Sequence, residues 1–281
     1  MKTAIIVVGL ALAIAVCVLL IWRQMDHRAD RSAWRRLAGL QPENPQHFAP
    51  EILTGQPEAV RRFFLYAIKP GTPLLAIAEI RMSGKFGMGD KAAPDYQDMA
   101  AQQILAAPRG FVWKMRAGRG LTRISGSDSH EWTRFWLAGL LPVARFGGDE
   151  DHRRSAFGRM VAEAVFWTPA ALLPGPGVRW QEIDTDTLQV TVRHEDLEQT
   201  VMLKIDDGGR PLSVSMQRWS NANPDKAFRL QPFGGYLSEF RDFGGYRLPT
   251  HVEAGNFFGT DDYFPFFIID VQELAFPQHA G

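Results

Sequence analysis

One cysteine, Cys17, occurs in 281 residues, so no intramolecular disulfide can form and cysteine usage carries no information about compartment. The seven histidines are scattered. His130-Glu131 and His194-Glu195 each begin like a zinc-protease helix, yet neither has the second histidine one turn on that the metal needs. There is no G-x-S-x-G elbow, no S-x-x-K and no phosphate loop. Gly87-Met88-Gly89-Asp90-Lys91-Ala92 loosely matches a dinucleotide fingerprint, but Pro94 interrupts the helix that should follow, and a hairpin tip is the reading that fits. No residue set calls for a metal or a cofactor, and none is assigned a catalytic role.

Net charge is absent too, with 31 basic against 31 acidic residues. Residues 1–36 hold six of the basic and two of the acidic ones, which leaves the remainder mildly acidic at 25 against 29. A duplex-binding surface needs a concentrated positive stripe, so nucleic acid is excluded as an expected partner. No protein partner is indicated by any motif. No repeat and no low-complexity tract breaks the chain, and only residues 41–50, with Pro42, Pro45 and Pro50, read as a hinge.

What is present is an apolar run over residues 4–22. About 19 residues at about 1.5 Å each reach about 28 Å, close to the hydrocarbon thickness of a bilayer. The flanks bear on its type. The A-x-A triplets at Ala11-Leu12-Ala13 and Ala13-Ile14-Ala15 lie inside the run, so cleavage there leaves an apolar new terminus. Val16 precedes Cys17 where a lipoprotein signal wants a small residue, and Cys17 reads as a small hydrophobe. A retained single-pass anchor in the inner membrane of a bacterium is the expectation, with Trp22 at the interface. Arg23, Arg28, Arg31, Arg35 and Arg36 follow the run while only Lys2 and the amino terminus precede it, a bias that favours a cytoplasmic domain. The expected layout is an anchor over residues 1–23, a basic juxtamembrane helix and proline-bearing linker over 24–50, and a mostly β domain over 51–281.

Within that domain, Val60, Phe63, Phe64, Ala67 and Ile68 fall at helical spacing over residues 57–68, and Lys69-Pro70-Gly71 stops them. A second helix begins at Asp149, a capping residue, and ends at Pro169. From Val178 the period becomes two: Leu188, Val190 and Val192 alternate with polar residues, as do Leu212, Val214 and Met216. Asp206-Asp207-Gly208-Gly209 supplies a hairpin turn, and Gly234-Gly235 and Gly244-Gly245 read as further turns or bulges. Other strands are expected at 74–82, 111–117, 121–125, 230–240, 248–257 and 264–274. The fold class is α+β, a single-pass N-terminal helix followed by a curved antiparallel sheet, a half-barrel, on a few helices.

Arg159, Glu163 and Trp167 stand at i, i+4 and i+8 on one helix face. They grip a ligand head group on one reading and form an ordinary ion pair beside a packed indole on the other. His251 and Glu253 share one strand face, opposite Val252 and Ala254, and with Arg218 they line either a cleft or the solvent face of a sheet. Phe257, Phe258, Tyr263, Phe264, Phe266 and Phe267 exceed what one strand face requires. Their surplus packs into a core or meets a lipid or the membrane.

Residues 160–174, with Glu163, the Trp167-Thr168-Pro169 element and Leu172-Leu173-Pro174, resemble the signature of a bacterial family catalogued as a domain of unknown function. Trp180, Arg218, the Asp206–Pro211 turn and the aromatic last strand are similar as well. The family's strand layout is similar to the half-barrel of lipoprotein-localisation carriers, which implies a greasy cavity and a periplasmic setting. The expected function is thus a membrane-tethered, non-catalytic module whose partners are the lipid bilayer and a lipid or other hydrophobic small molecule. Two alternatives stand beside it: a hydrolase-like enzyme using Glu163 on an envelope substrate, and a scaffold of a membrane complex.

Overall fold

The computed structural model describes residues 1–277. The chain begins with one unbroken helix, α1 (Lys2–Ala38). Its apolar first half is exposed except at the half-buried Leu19, and the helix is long and apolar enough to cross a membrane. The second half is different. Asp26, Asp30, Ala33 and Leu37 recur at helical spacing and are buried.

The segment after α1 is packed, not hinged. The Gln41 amide donates to the Ile77 carbonyl at 3.0 Å and accepts from the backbone of Ala76 and Ile77, each at 3.1 Å. Phe48 is buried, and its N–H bonds the Thr72 carbonyl at 2.8 Å. Helix α2 (Glu58–Ala67) follows Pro57 and buries Val60, Phe63 and Phe64 as their spacing predicts. Both phenylalanine rings lie 5.3 Å from Trp180.

Six strands come next: β1 (Ala78–Gly87), β2 (Tyr96–Ala106), β3 (Gly110–Ala117), β4 (Ile124–Ser129), β5 (Thr133–Leu137) and β6 (Leu141–Phe146). Helix α3 (Glu150–Trp167) starts where Asp149 accepts the His152 N–H at 2.7 Å, satisfying one of the free amides of its first turn. Seven more strands complete the chain: β7 (Val178–Asp184), β8 (Thr187–His194), β9 (Leu197–Ile205), β10 (Pro211–Ser220), β11 (Arg229–Phe243), β12 (Tyr246–Asn256) and β13 (Phe264–Ala275).

All thirteen form one antiparallel sheet in the order β6-β5-β4-β3-β2-β1-β13-β12-β11-β10-β9-β8-β7. The two halves meet where β1 pairs with β13, from Glu79 opposite Ala275 to Phe86 opposite Phe267. Strands β6 and β7 are therefore the two edges, and α3 is the connection between them. It crosses the inside of the curved sheet and packs against β3, β9, β10 and β12. Because sheet surrounds it, α3 is buried nearly all round, from Ala156 to Trp167.

On the other face, Ala33 and Leu37 of α1 pack with Ile104, Val112 and Trp132. Their chain neighbours Leu105, Phe111 and Trp113 belong to the main core. Strands β2 and β3 are thus apolar on both faces here, which is why their sequence does not alternate.

Three sequence expectations shift. The strand expected at 121–125 begins only at Ile124, after a 3-10 turn over Gly120–Thr122. The first strand lies at 78–87, not 74–82, and Gly234-Gly235 are neither turn nor bulge. They sit within β11 in unbroken register with β10 and β12. A Cβ on Gly234 would meet the Val214 carbonyl and the Phe258 ring, so close approach explains the glycine. Gly244 and Gly245 do form the β11–β12 turn, with φ of +64° and +98°.

Candidate ligand cavity

Between α3 and the inner face of the sheet lies a cavity of about 800 Å³. Its walls are chiefly apolar, with Phe86, Trp113, Met115, Phe233, Phe266 and Phe267 prominent. Phe266 and Phe267 take up part of the aromatic surplus of the last strand: both line the cavity, and Phe267 also packs against the main core. Met88, Val143, Phe146 and Phe228 line the cavity and are also exposed, so they mark where it opens.

A polar cluster is set in this wall. Arg159 projects from α3, and its Nε donates to Glu163 Oε1 at 2.7 Å, as expected for residues one turn apart. Its Nη1 donates to Asp128 Oδ2 of β4 at 2.7 Å, and its Nη2 reaches Gln103 Oε1 of β2 at 3.3 Å. Gln103 Nε2 in turn donates to Glu163 Oε2. The guanidinium lies 4.9 Å from the Phe111 ring centroid and 5.0 Å from that of Trp113. Burial pulls its pKa down, but Glu163 and Asp128 together more than offset that and hold it above the ordinary value. Both Glu163 oxygens are occupied, one by a guanidinium, so the carboxylate is a fixed acceptor and badly placed to hand over a proton.

Arg218 reaches the same cavity from β10 but is partnered differently. Its Nη2 contacts Ser155 Oγ at 3.4 Å and its guanidinium lies 4.8 Å from the Phe233 ring centroid. Its Nε, buried, has no hydrogen-bond partner among the described residues, and neither has the indole N–H of Trp113. Burial, and next the charge of Arg159, push the Arg218 guanidinium down to about 10, which leaves it protonated at neutral pH.

The structure thus brings Arg159, Glu163, Trp167 and Arg218 to one cavity. Trp167 is buried, its indole N–H on the Pro249 carbonyl at 3.4 Å. His251 and Glu253 are elsewhere. Val252 and Ala254 face the cavity, so the alternation of β12 puts His251 and Glu253 on the outer face. There His251 Nδ1 bonds Asp270 at 2.8 Å and its Nε2 approaches Glu253 at 3.3 Å. Sequence reasoning missed Asp128, Gln103 and Trp113, which lie 31, 56 and 46 residues from Arg159. No metal-binding group of histidine, cysteine or carboxylate side chains occurs among the described residues.

A family model described as a family of unknown function, DUF6544, matches residues 46–268, a span that includes the signature at 163–174. No curated protein matches the chain. Among solved structures, a LolA superfamily protein from Nitrosomonas europaea is 10% identical, with 77% of this chain and 90% of that one covered at a TM-score of 0.38. A putative outer membrane lipoprotein-sorting protein domain from Vibrio parahaemolyticus is 12% identical, with 83% and 93% covered at 0.37. A DUF1329 family protein from Desulfovibrio piger is 10% identical, with 79% and 92% covered at 0.38. Likenesses this loose leave the ligand to be argued from the cavity itself.

Proposed function

Because the chain belongs to this family of unknown function, DUF6544, its role rests on its own cavity, and we propose that it is a membrane-tethered, non-catalytic module that binds a lipid or another hydrophobic ligand. The observation that carries this is the cavity: about 800 Å³, walled chiefly by aromatic and methionine side chains, open at one end and set against the inner face of the sheet. The engaged oxygens of Glu163 favour binding over acid–base chemistry.

The apolar half of α1 is the tether in this reading. Of the five arginines behind it, Arg23 bonds the Gly139 carbonyl and Arg36 pairs with Glu131 at 3.0 Å, while Arg28, Arg31 and Arg35 stay exposed to meet anionic head groups. Their excess over the residues ahead of the helix supports a cytoplasmic domain. A C-terminal fusion to a reporter active only outside the cytoplasm tests that orientation; activity there overturns it.

Ligand binding is tested on the full chain in membranes with a phosphatidylcholine carrying a mid-chain photoreactive diazirine. The expected adducts fall on peptides of β3, β10 and β13. Adducts confined to residues 4–22 of α1 would count decisively against a lipid-binding cavity.

A further inference from the structure

An apolar cavity does not ordinarily carry an unpaired cation, and this one does. Of the two arginines in its wall, Arg159 is fully engaged: two carboxylates and an amide oxygen take its three nitrogens. Arg218 has no carboxylate partner among the described residues. Among those residues its hydrogen bond is the 3.4 Å contact to the Ser155 hydroxyl, and its Nε has none. A guanidinium offers five N–H donors in a planar fork, so most of the donor capacity of Arg218 is unused.

Leaving a charged donor without an acceptor in a low-dielectric site is costly unless something completes it. Arg159 cannot, being a like charge, and neither can Trp113, whose orphaned indole N–H lines the same cavity and is itself a donor. What the two orphans have in common is the want of an acceptor. The rest of the wall is chiefly apolar, with polar side chains such as Thr133, Asp149, Asn221 and Asn256 interspersed, and its aromatic side suits a hydrocarbon chain. An acceptor at Arg218 with a hydrocarbon chain along Phe233, Phe266 and Met216 satisfies both halves of the site.

We propose that the cavity takes an amphiphile with an anionic head group, a carboxylate or a phosphate, and that Arg218 is the residue that holds that head group. This deepens the lipid-binding reading and rests on it. Arg159 then has a separate part: its three nitrogens are taken by Asp128, Glu163 and Gln103 and do not compete for the head group. The one negative charge by which the two carboxylates exceed Arg159 acts on Arg218 through space and leaves its own donors free. Ser155 and Arg218 form the polar end of the cavity, and the ring of Phe233 beneath the guanidinium fixes its plane for a two-pronged contact.

The full chain in phosphatidylcholine nanodiscs is exposed to three probes with the same sixteen-carbon, diazirine-bearing chain: the carboxylic acid, the alkyl phosphate and the alcohol. Labelling of cavity peptides is read against probe concentration. The acids are expected to label at concentrations at least about tenfold below the alcohol, the scale of a charge-assisted hydrogen bond. Whichever acid labels first identifies a carboxylate or a phosphate as the natural head group. Arg218→Gln is expected to abolish the preference while the alcohol still labels, and Arg218→Lys to retain part of it. Equal labelling by acid and alcohol in the unaltered protein would overturn the head-group assignment and leave the lipid-binding reading standing. A uniform loss of all three probes in a folded Arg218→Gln variant would overturn it as well. Failure of every probe to reach the cavity would bring down the lipid-binding reading, and this inference with it. The comparison in the unaltered protein needs no variant to fold.

Discussion

Asp26 and Arg145, 119 residues apart, form a two-pronged ion pair that fixes α1 to the edge strand β6. Arg145 Nη1 donates to Oδ2 of the aspartate at 2.6 Å and Nη2 to Oδ1 at 3.0 Å, and the Trp136 indole adds a third bond at 2.9 Å. Arg145 also lies 4.2 Å from the Trp22 ring centroid, so an ion pair and a cation–π contact share one guanidinium. Burial pushes the Asp26 carboxyl up, but its bonds to Arg145 and Trp136 outweigh that and hold it below the ordinary range.

Replacing Asp26 by Asn strands the Arg145 charge beneath the helix. A loss of about 3 kcal/mol of unfolding free energy is expected, by analogy with other half-broken buried pairs. Urea denaturation of the full chain in a mild detergent measures it. The double variant Asp26→Asn, Arg145→Gln is expected to lose less than the sum of its parts.

The Arg159 cluster makes a second prediction. Arg159→Met removes the cation bonded to both Asp128 and Glu163 and leaves two carboxylates in the cavity wall. The expected cost is about 3–5 kcal/mol. Glu163→Gln keeps an acceptor for Arg159 and is expected to cost less, about 1–2 kcal/mol. A thermal melt of both variants ranks them, and the reverse order would mean that Glu163, not Arg159, organises the site.

Filling the cavity should separate binding from stability. Ala254 lines it from β12 and is only partly buried, so a larger side chain has open space to enter. Ala254→Trp is expected to reduce photolabelling of β3 and β10 peptides at least about tenfold while the melting temperature stays within about 3 °C, a change of less than about 1 kcal/mol.

His251 gives a pH dependence on the outer face. Burial lowers its pKa, but the bonds to Asp270 and Glu253 win, and the folded value lies above the unfolded one of about 6.5. The folded protein therefore binds this proton more tightly than the unfolded chain does. Its stabilising contribution is complete below about pH 6.5 and is lost as pH rises through the folded value. The melting-temperature gap between the unaltered chain and His251→Gln should close as pH is raised; a gap that widens would contradict the assignment.

Much of this fold was readable in advance where periodicity and caps act locally. The Asp149 cap, the stripe of α2 and the alternation of β8 to β12 each depend on residues close in sequence. Strand β2 escaped because Gln102, Gln103 and three alanines dilute its β character; only the finished sheet explains why Gln103 is buried. The same limit applied at the cavity. The i, i+4 spacing made Arg159 and Glu163 a visible pair, whereas Asp128 arrives from another hairpin through strand order that no local pattern encodes. For His251, alternation identified its face-mates but could not say which face of β12 looks inward.

The unbroken passage of α1 from its exposed apolar half to the Asp26–Arg145 clasp bears on how any cargo must travel. A globular carrier on a slack leash sweeps a volume and can ferry its load between distant stations. A domain clasped to an unbroken helix is held differently: Arg145 of β6, which grips Asp26, is flanked by the cavity-lining Ala144 and Phe146, so the mouth lies beside the helix. Under the proposed tethered role, a ligand therefore meets the cavity close to where the apolar half of α1 is held.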